Sequence, residues 1–114
     1  MRRVVEIALF TDDPDRMIGF YEELLAALPV QRWDGGATFD LGGLMLLIHA
    51  REPSDPAGPA NCDHVAFGVD DVDGAAAHLR ERGFDVLGPK DYYWGRSAYL
   101  HDPDGRMLEL HRPD

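Results

Sequence analysis

Cysteine occurs once in the 114 residues, at Cys62. No intrachain disulfide can form, and a zinc site built on several thiolates is excluded. Basic residues are scarce too: 11 Lys and Arg stand against 21 Asp and Glu, a formal net charge of −10. A surface of that sign repels nucleic-acid phosphates and anionic headgroups, so no nucleic-acid and no membrane partner is expected. Long hydrophobic runs are missing. The longest, residues 41–48, is interrupted by Gly42 and Gly43 and is too short to span a bilayer. Behind Met1-Arg2-Arg3 no apolar h-region follows, because Glu6 and Asp12 intervene, and a cytoplasmic location is expected. No phosphate loop, dinucleotide fingerprint or Ser/His/Asp series appears.

What is present is enough for one packed domain over residues 1–114, with 45% hydrophobic residues to fill its core. A first strand is predicted over residues 3–11, where Val5, Ile7 and Leu9 alternate with Glu6, Ala8 and Phe10. Asp13 then caps a helix whose first position is Pro14. Met17, Phe20, Tyr21, Leu24, Leu25 and Leu28 recur at helical spacing, and Pro29 is expected to stop the helix. Short strands over 30–33, 37–41 and 44–49 follow, parted by Gly35-Gly36 and Gly42-Gly43. Residues 51–61 hold Pro53, Pro56 and Pro59 without either period, and read as a linker. The pattern then restarts, with a strand over 63–70, a helix over 72–82 ended by Gly83, and strands near 84–87, 97–101 and 106–111.

The restart is a repeat. At an offset of 58, Glu6-Ile7-Ala8-Leu9 overlies His64-Val65-Ala66-Phe67, and Asp12-Asp13 overlies Asp70-Asp71. At an offset of 62, residues 40–49 match residues 102–111 identically at five of ten positions. A shared order of elements together with this match indicates duplication. Module one then covers about residues 1–50 and module two about residues 62–114.

A duplicated βαβββ unit bearing Phe20-Tyr21-Glu22-Glu23-Leu24-Leu25, Asp63-His64-Val65-Ala66-Phe67 and His101-Asp102-Pro103-Asp104-Gly105-Arg106-Met107-Leu108-Glu109-Leu110 resembles the vicinal oxygen chelate superfamily. That superfamily includes glyoxalase I, bleomycin-resistance proteins and extradiol dioxygenases. The resemblance implies an α+β fold in which two tandem modules form a cup-shaped mixed sheet with helices on its outer face. It also implies a homodimer.

Alternation places Glu6, His64 and Glu109 on the strand faces opposite the apolar sets Val5/Ile7/Leu9, Val65/Phe67/Val69 and Leu108/Leu110. The family's metal positions fall on Glu6, Leu47, His64 and Glu109. Glu6 stands where metal-binding members usually have His, and Leu47 cannot ligate. The resemblance therefore implies a divalent cation (Mn, Fe, Co, Ni or Zn) on Glu6, His64 and Glu109, with positions open for an oxygen-chelating small-molecule substrate. His49, two residues beyond Leu47 on the same face, is a substitute ligand or pocket residue. Without a metal, Glu6 and Glu109 facing one another would act as an acid–base pair or bind a cationic ligand. Tyr93, Trp94 and Arg96 are expected in a loop bordering the substrate, Arg96 pairing with a substrate carboxylate or with Glu6. The rival structural readings are a solvated Glu6 paired with Arg96 or Arg106, an interior His64, and an aromatic loop packed on a sheet edge. Two functions thus stand open: a metalloenzyme of the glyoxalase or dioxygenase type, and a metal-free protein that sequesters its ligand as bleomycin-resistance proteins do.

Overall fold

Each of the two helices among the described residues starts at an aspartate that satisfies one of its free N–H groups. The Asp13 carboxylate accepts from Arg16 N at 3.2 Å and the Asp71 carboxylate from Gly74 N at 3.0 Å. In the computed structural model, which describes residues 3–56, 58 and 61–112, these caps open two successive βαβββ runs. The first is β1 (Arg3–Thr11), α1 (Pro14–Leu25), β2 (Gln31–Trp33), β3 (Gly36–Asp40) and β4 (Met45–Ala50). The second is β5 (His64–Gly68), α2 (Val72–Glu81), β6 (Leu87–Tyr92), β7 (Gly95–His101) and β8 (Met107–His111). The class is α+β, as the sequence implies.

The chain divides into two compact units, one of Glu6–Asp63 and the other of His64 onward together with the residues up to Val5. In the first, the strands lie in the order β2-β3-β4-β1, with β1 parallel to β4. In the second, the order is β6-β7-β8-β5, with β5 parallel to β8. The repeat seen in the sequence is thus a repeat of topology. Strand parity holds as well. Ile7 and Leu9 join Ala37, Phe39, Leu46 and Ile48 against Ile18 of α1, and Phe67, Val69, Leu108 and Leu110 join Val72 and Ala76 of α2.

Three expectations need correction. The helix α1 ends at Leu25, four residues before Pro29, because Ala26 turns into the left-handed region at φ 51° and its N–H reaches back to the carbonyls of Glu22 and Glu23. Its buried stripe is also rotated from the expected one. Met17, Ile18, Tyr21 and Leu25 pack on the sheet, whereas Phe20, Leu24 and Leu28 are 57%, 64% and 79% exposed. Finally, the strand expected over 84–87 begins only at Leu87 and runs to Tyr92. β6 lies at the end of its strand order, where Pro89, which cannot donate to a ladder, is tolerated.

The stretch read as a linker is organised in its described part. The Asn61 side chain bonds the backbone of Glu52 and Asp55, donating to Glu52 O at 2.7 Å. Beside it, Asp63 accepts the Phe10 N–H at 2.8 Å. Ala57, Pro59 and Ala60 of this stretch, and the N-terminal Met1 and Arg2, lie outside the described residues.

Packing on the inner stripe of α1 sets its stability. Ile18→Ala is expected to cost about 2–5 kcal/mol by chemical denaturation. Leu24→Ala, on the exposed face, should stay within about 0.5 kcal/mol of wild type.

Candidate metal centre

Parallel pairing of β5 with β8 sets Ala66 opposite Glu109 and His64 opposite Met107, so His64 and Glu109 are diagonal neighbours on one face. The methyl of Ala66 leaves the space between them open to the two long side chains. His64 Nε2 lies 2.9 Å from Glu109 Oε1, with the residues 8% and 3% exposed. On the other side of β8, antiparallel β7 sets Tyr99 opposite Glu109 and Ser97 opposite His111. The fully buried Ser97 hydroxyl donates to Glu109 Oε2 at 2.6 Å.

Both oxygens of a buried carboxylate are therefore bonded, one to an imidazole and one to a hydroxyl. Burial alone would push the Glu109 carboxyl up. The hydrogen bonds from His64 and Ser97, and the charges of His64 and His111, outweigh it and hold the group below the ordinary carboxylate range. An ionised Glu109 can only accept, so His64 Nε2 carries the proton of that bond. The same negative charge reaches Tyr92, whose phenol is raised first by burial and then by Glu109.

Aromatic rings enclose the pair. Tyr99 presents its ring edge-on to His64 at 5.8 Å, Tyr92 stands edge-on to Tyr99 at 5.9 Å, and Trp94 stacks on Tyr92 at 4.3 Å. Trp94 thus belongs to this wall, in the turn of the β6–β7 hairpin. Tyr93 in the same turn is 88% exposed. Arg96 is directed elsewhere, forking onto Asp73 at 2.8 Å through two nitrogens and reaching Asp91 at 2.9 Å. As neighbours along β7, Arg96 and Ser97 point to opposite faces.

Glu6, on β1, and Leu47, on β4, belong to the other unit. Both are half-buried, and Leu47 pairs with Ala8 and Thr38. His49 is half-buried there too, donating through Nδ1 to Ala50 O at 2.6 Å between the rings of Phe10 and Trp33. The residue sequence reasoning missed is Ser97, along with the role of Tyr99. A signal existed: a hairpin through Asp102-Pro103-Asp104-Gly105 pairs Tyr99 with Glu109, and period 2 then puts Ser97 on the same face.

Residues 3–110 match the profile of the Glyoxalase/Bleomycin resistance protein/Dioxygenase superfamily. The chain belongs to that superfamily. Among its similar proteins is the metallothiol transferase FosB of Shouchella clausii, 30% identical over 103 residues, which are 85% of this chain and 70% of the relative. Glutathione transferase FosA of Serratia marcescens is 30% identical over 109 residues, 92% of this chain and 77% of the relative. In fold, the chain is similar to a superfamily member from Vibrio splendidus, with a TM-score of 0.69 at 18% identity and coverage of 97% of this chain and 98% of that one. No helix among the described residues is long and apolar enough to cross a membrane. Superfamily membership makes the His64–Glu109 pair a possible carboxylate/His metal site, and its donor set fits one: a borderline imidazole nitrogen and a hard carboxylate kept ionised.

In metal-free protein the sign of the pH effect follows from Glu109. Its folded-state value is depressed, so its contribution to stability is present above the ordinary carboxylate pKa of about 4.3 and is lost as the pH falls through the folded value. The stability gap between wild type and Glu109→Gln should narrow as the pH falls below the ordinary carboxylate pKa of about 4.3, in denaturation titrations with chelator present.

Proposed function

We propose that this chain is a metal-dependent enzyme acting on an oxygen-rich small molecule, with Glu6, His64 and Glu109 as the protein ligands of a divalent cation. The observation that carries the reading is the buried 2.9 Å contact of His64 Nε2 with Glu109 Oε1. Two of the four family positions thereby meet in one unit, and each of Glu6, His64 and Glu109 offers a ligand atom. Leu47 at the remaining family position leaves three protein ligands, which suits a site with coordination positions open to substrate.

A bound divalent cation would polarise a substrate oxygen as a Lewis acid and stabilise negative charge developing there. The chain's own part is to supply and hold the donors. His64 surrenders the Nε2 proton when that nitrogen ligates. Tyr99 and Tyr92 keep water from the flank of the pair, and the Trp94–Tyr92 stack offers a flat apolar wall. The relatives named as transferases make thiol transfer the first reaction to assay, ahead of lyase, isomerase or ring-cleaving dioxygenase chemistry. We also propose a homodimer in the cytoplasm. The exposed Phe20 and Leu24 of α1, with Leu28 just beyond it, supply apolar surface suited to such pairing.

A second reading, metal-free sequestration of a ligand, is favoured by one observation. Leu47, at one of the family's ligand positions, is apolar and cannot ligate.

Calorimetric titration of chelator-treated protein with Co²⁺ or Zn²⁺ separates the two. Stoichiometric binding that is lost in His64→Ala and Glu109→Gln, and weakened in Glu6→Gln, is the expected outcome. At 100 times Kd the metal should stabilise the fold by about 2.7 kcal/mol. Wild-type protein that takes up no metal, yet melts higher with an aromatic or cationic ligand, would leave sequestration as the function. Light scattering should give twice the chain mass; a value of one chain mass would remove the homodimer.

A further inference from the structure

The Ser97 hydroxyl is saturated, and the direction of each of its bonds can be worked out. Its single proton goes to Glu109 Oε2 at 2.6 Å. It accepts the Trp94 indole N–H at 3.2 Å. His111 Nδ1 stands 3.1 Å away; with the hydroxyl proton already committed, that nitrogen must be the donor. One donor and two acceptor directions are all a hydroxyl has, so the Ser97 hydrogen cannot swing away from the carboxylate without breaking the set. The anchors are themselves fixed. Trp94 is stacked on Tyr92, and His111 is paired across from Ser97 in the β7–β8 ladder.

We propose that Ser97 is a positioning residue for the metal centre, its hydroxyl pinning Glu109 Oε2 so that the carboxylate offers Oε1 alone to a cation. This inference rests on the metal-binding reading given above. A carboxylate tied at one oxygen coordinates through the other, which fixes its plane and spares a coordination position that a bidentate carboxylate would occupy. Partners behind the ligands typically change metal affinity about 10- to 100-fold when removed. Fixing Oε2 does not require Ser97 to touch substrate or cation.

The test is Co²⁺ titration of chelator-treated wild type, Ser97→Ala, Ser97→Thr and Glu109→Gln, read as Kd and as the visible d–d absorption of the bound Co²⁺. Ser97→Ala is expected to weaken Co²⁺ about 10- to 100-fold and to change the absorption, because the freed Oε2 alters the coordination. Ser97→Thr, which keeps the hydroxyl, restores both. If Ser97→Ala does not fold, Ser97→Cys, with nearly the same volume and a much weaker donor, must show the same loss. Wild-type Kd and spectrum in a folded Ser97→Ala or Ser97→Cys, alongside weakened binding by Glu109→Gln, overturn the role of Ser97 and leave the metal reading intact. No Co²⁺ uptake by wild type overturns both.

Discussion

A carboxylate removed from water persists as an anion only if the protein replaces the hydrogen bonds that water gave it. Glu109 is 3% exposed, and the half of the chain around it is arranged to meet that requirement. The parallel β5–β8 pairing delivers His64 to one oxygen, and the antiparallel β7–β8 hairpin delivers Ser97 to the other. Leaving either oxygen unbonded would cost the desolvation penalty of a charged group, well above the worth of an ordinary surface ion pair. The contrast with Arg96 is instructive. Its ion pairs to Asp73 and Asp91 involve side chains 40%, 59% and 81% exposed. They secure the start of α2 to the hairpin and contribute modestly.

The duplication shows how such a site arises on one half of a repeated fold. Register for register, Thr38 and Gly36 face Leu47 and His49 on β3–β4 as Tyr99 and Ser97 face Glu109 and His111 on β7–β8. The scaffold is common to both units and the chemistry is not. Where one unit carries a charge, a hydroxyl and a phenol, the other carries Leu47, a bare glycine and Thr38. Fold membership fixes positions, and the side chains placed there decide what the positions do.

Much of this was legible in the sequence, for physical reasons. Strand parity is a strict alternation, so the apolar set Ile7/Leu9 and the polar set His64/Glu109 separated cleanly once the strands were located. Asp13 and Asp71 identified themselves as caps because a carboxylate before a helix has one obvious use. The misreadings have equally definite causes. Six apolar residues at helical spacing between Met17 and Leu28 describe a stripe wider than the sheet can cover, and periodicity cannot say which edge of the stripe is left in solvent. β6 escaped because Pro89 and Lys90 have low strand propensity, which tertiary pairing at an edge overrides. The alternation that placed Glu109 also sets Arg96 on the face of β7 opposite Ser97, where it pairs with Asp73 and Asp91. Ser97 went unnoticed because a serine carries no charge and no period, and it acquires meaning only when the hairpin sets it beside a carboxylate.

Gly36 has one more implication. A Cβ there would come within 2.5 Å of the Trp33 ring and 2.7 Å of Ile48 O, so an indole now occupies the space over the position corresponding to Ser97. Exchanging Leu47 for an acid would consequently create an anion with no hydroxyl at that corner to receive it, and supplying the hydroxyl would first require evicting the indole. The halves have passed a point from which single replacements could make them equals again: symmetry survives in the backbone while its restoration in chemistry has been closed off by one ring.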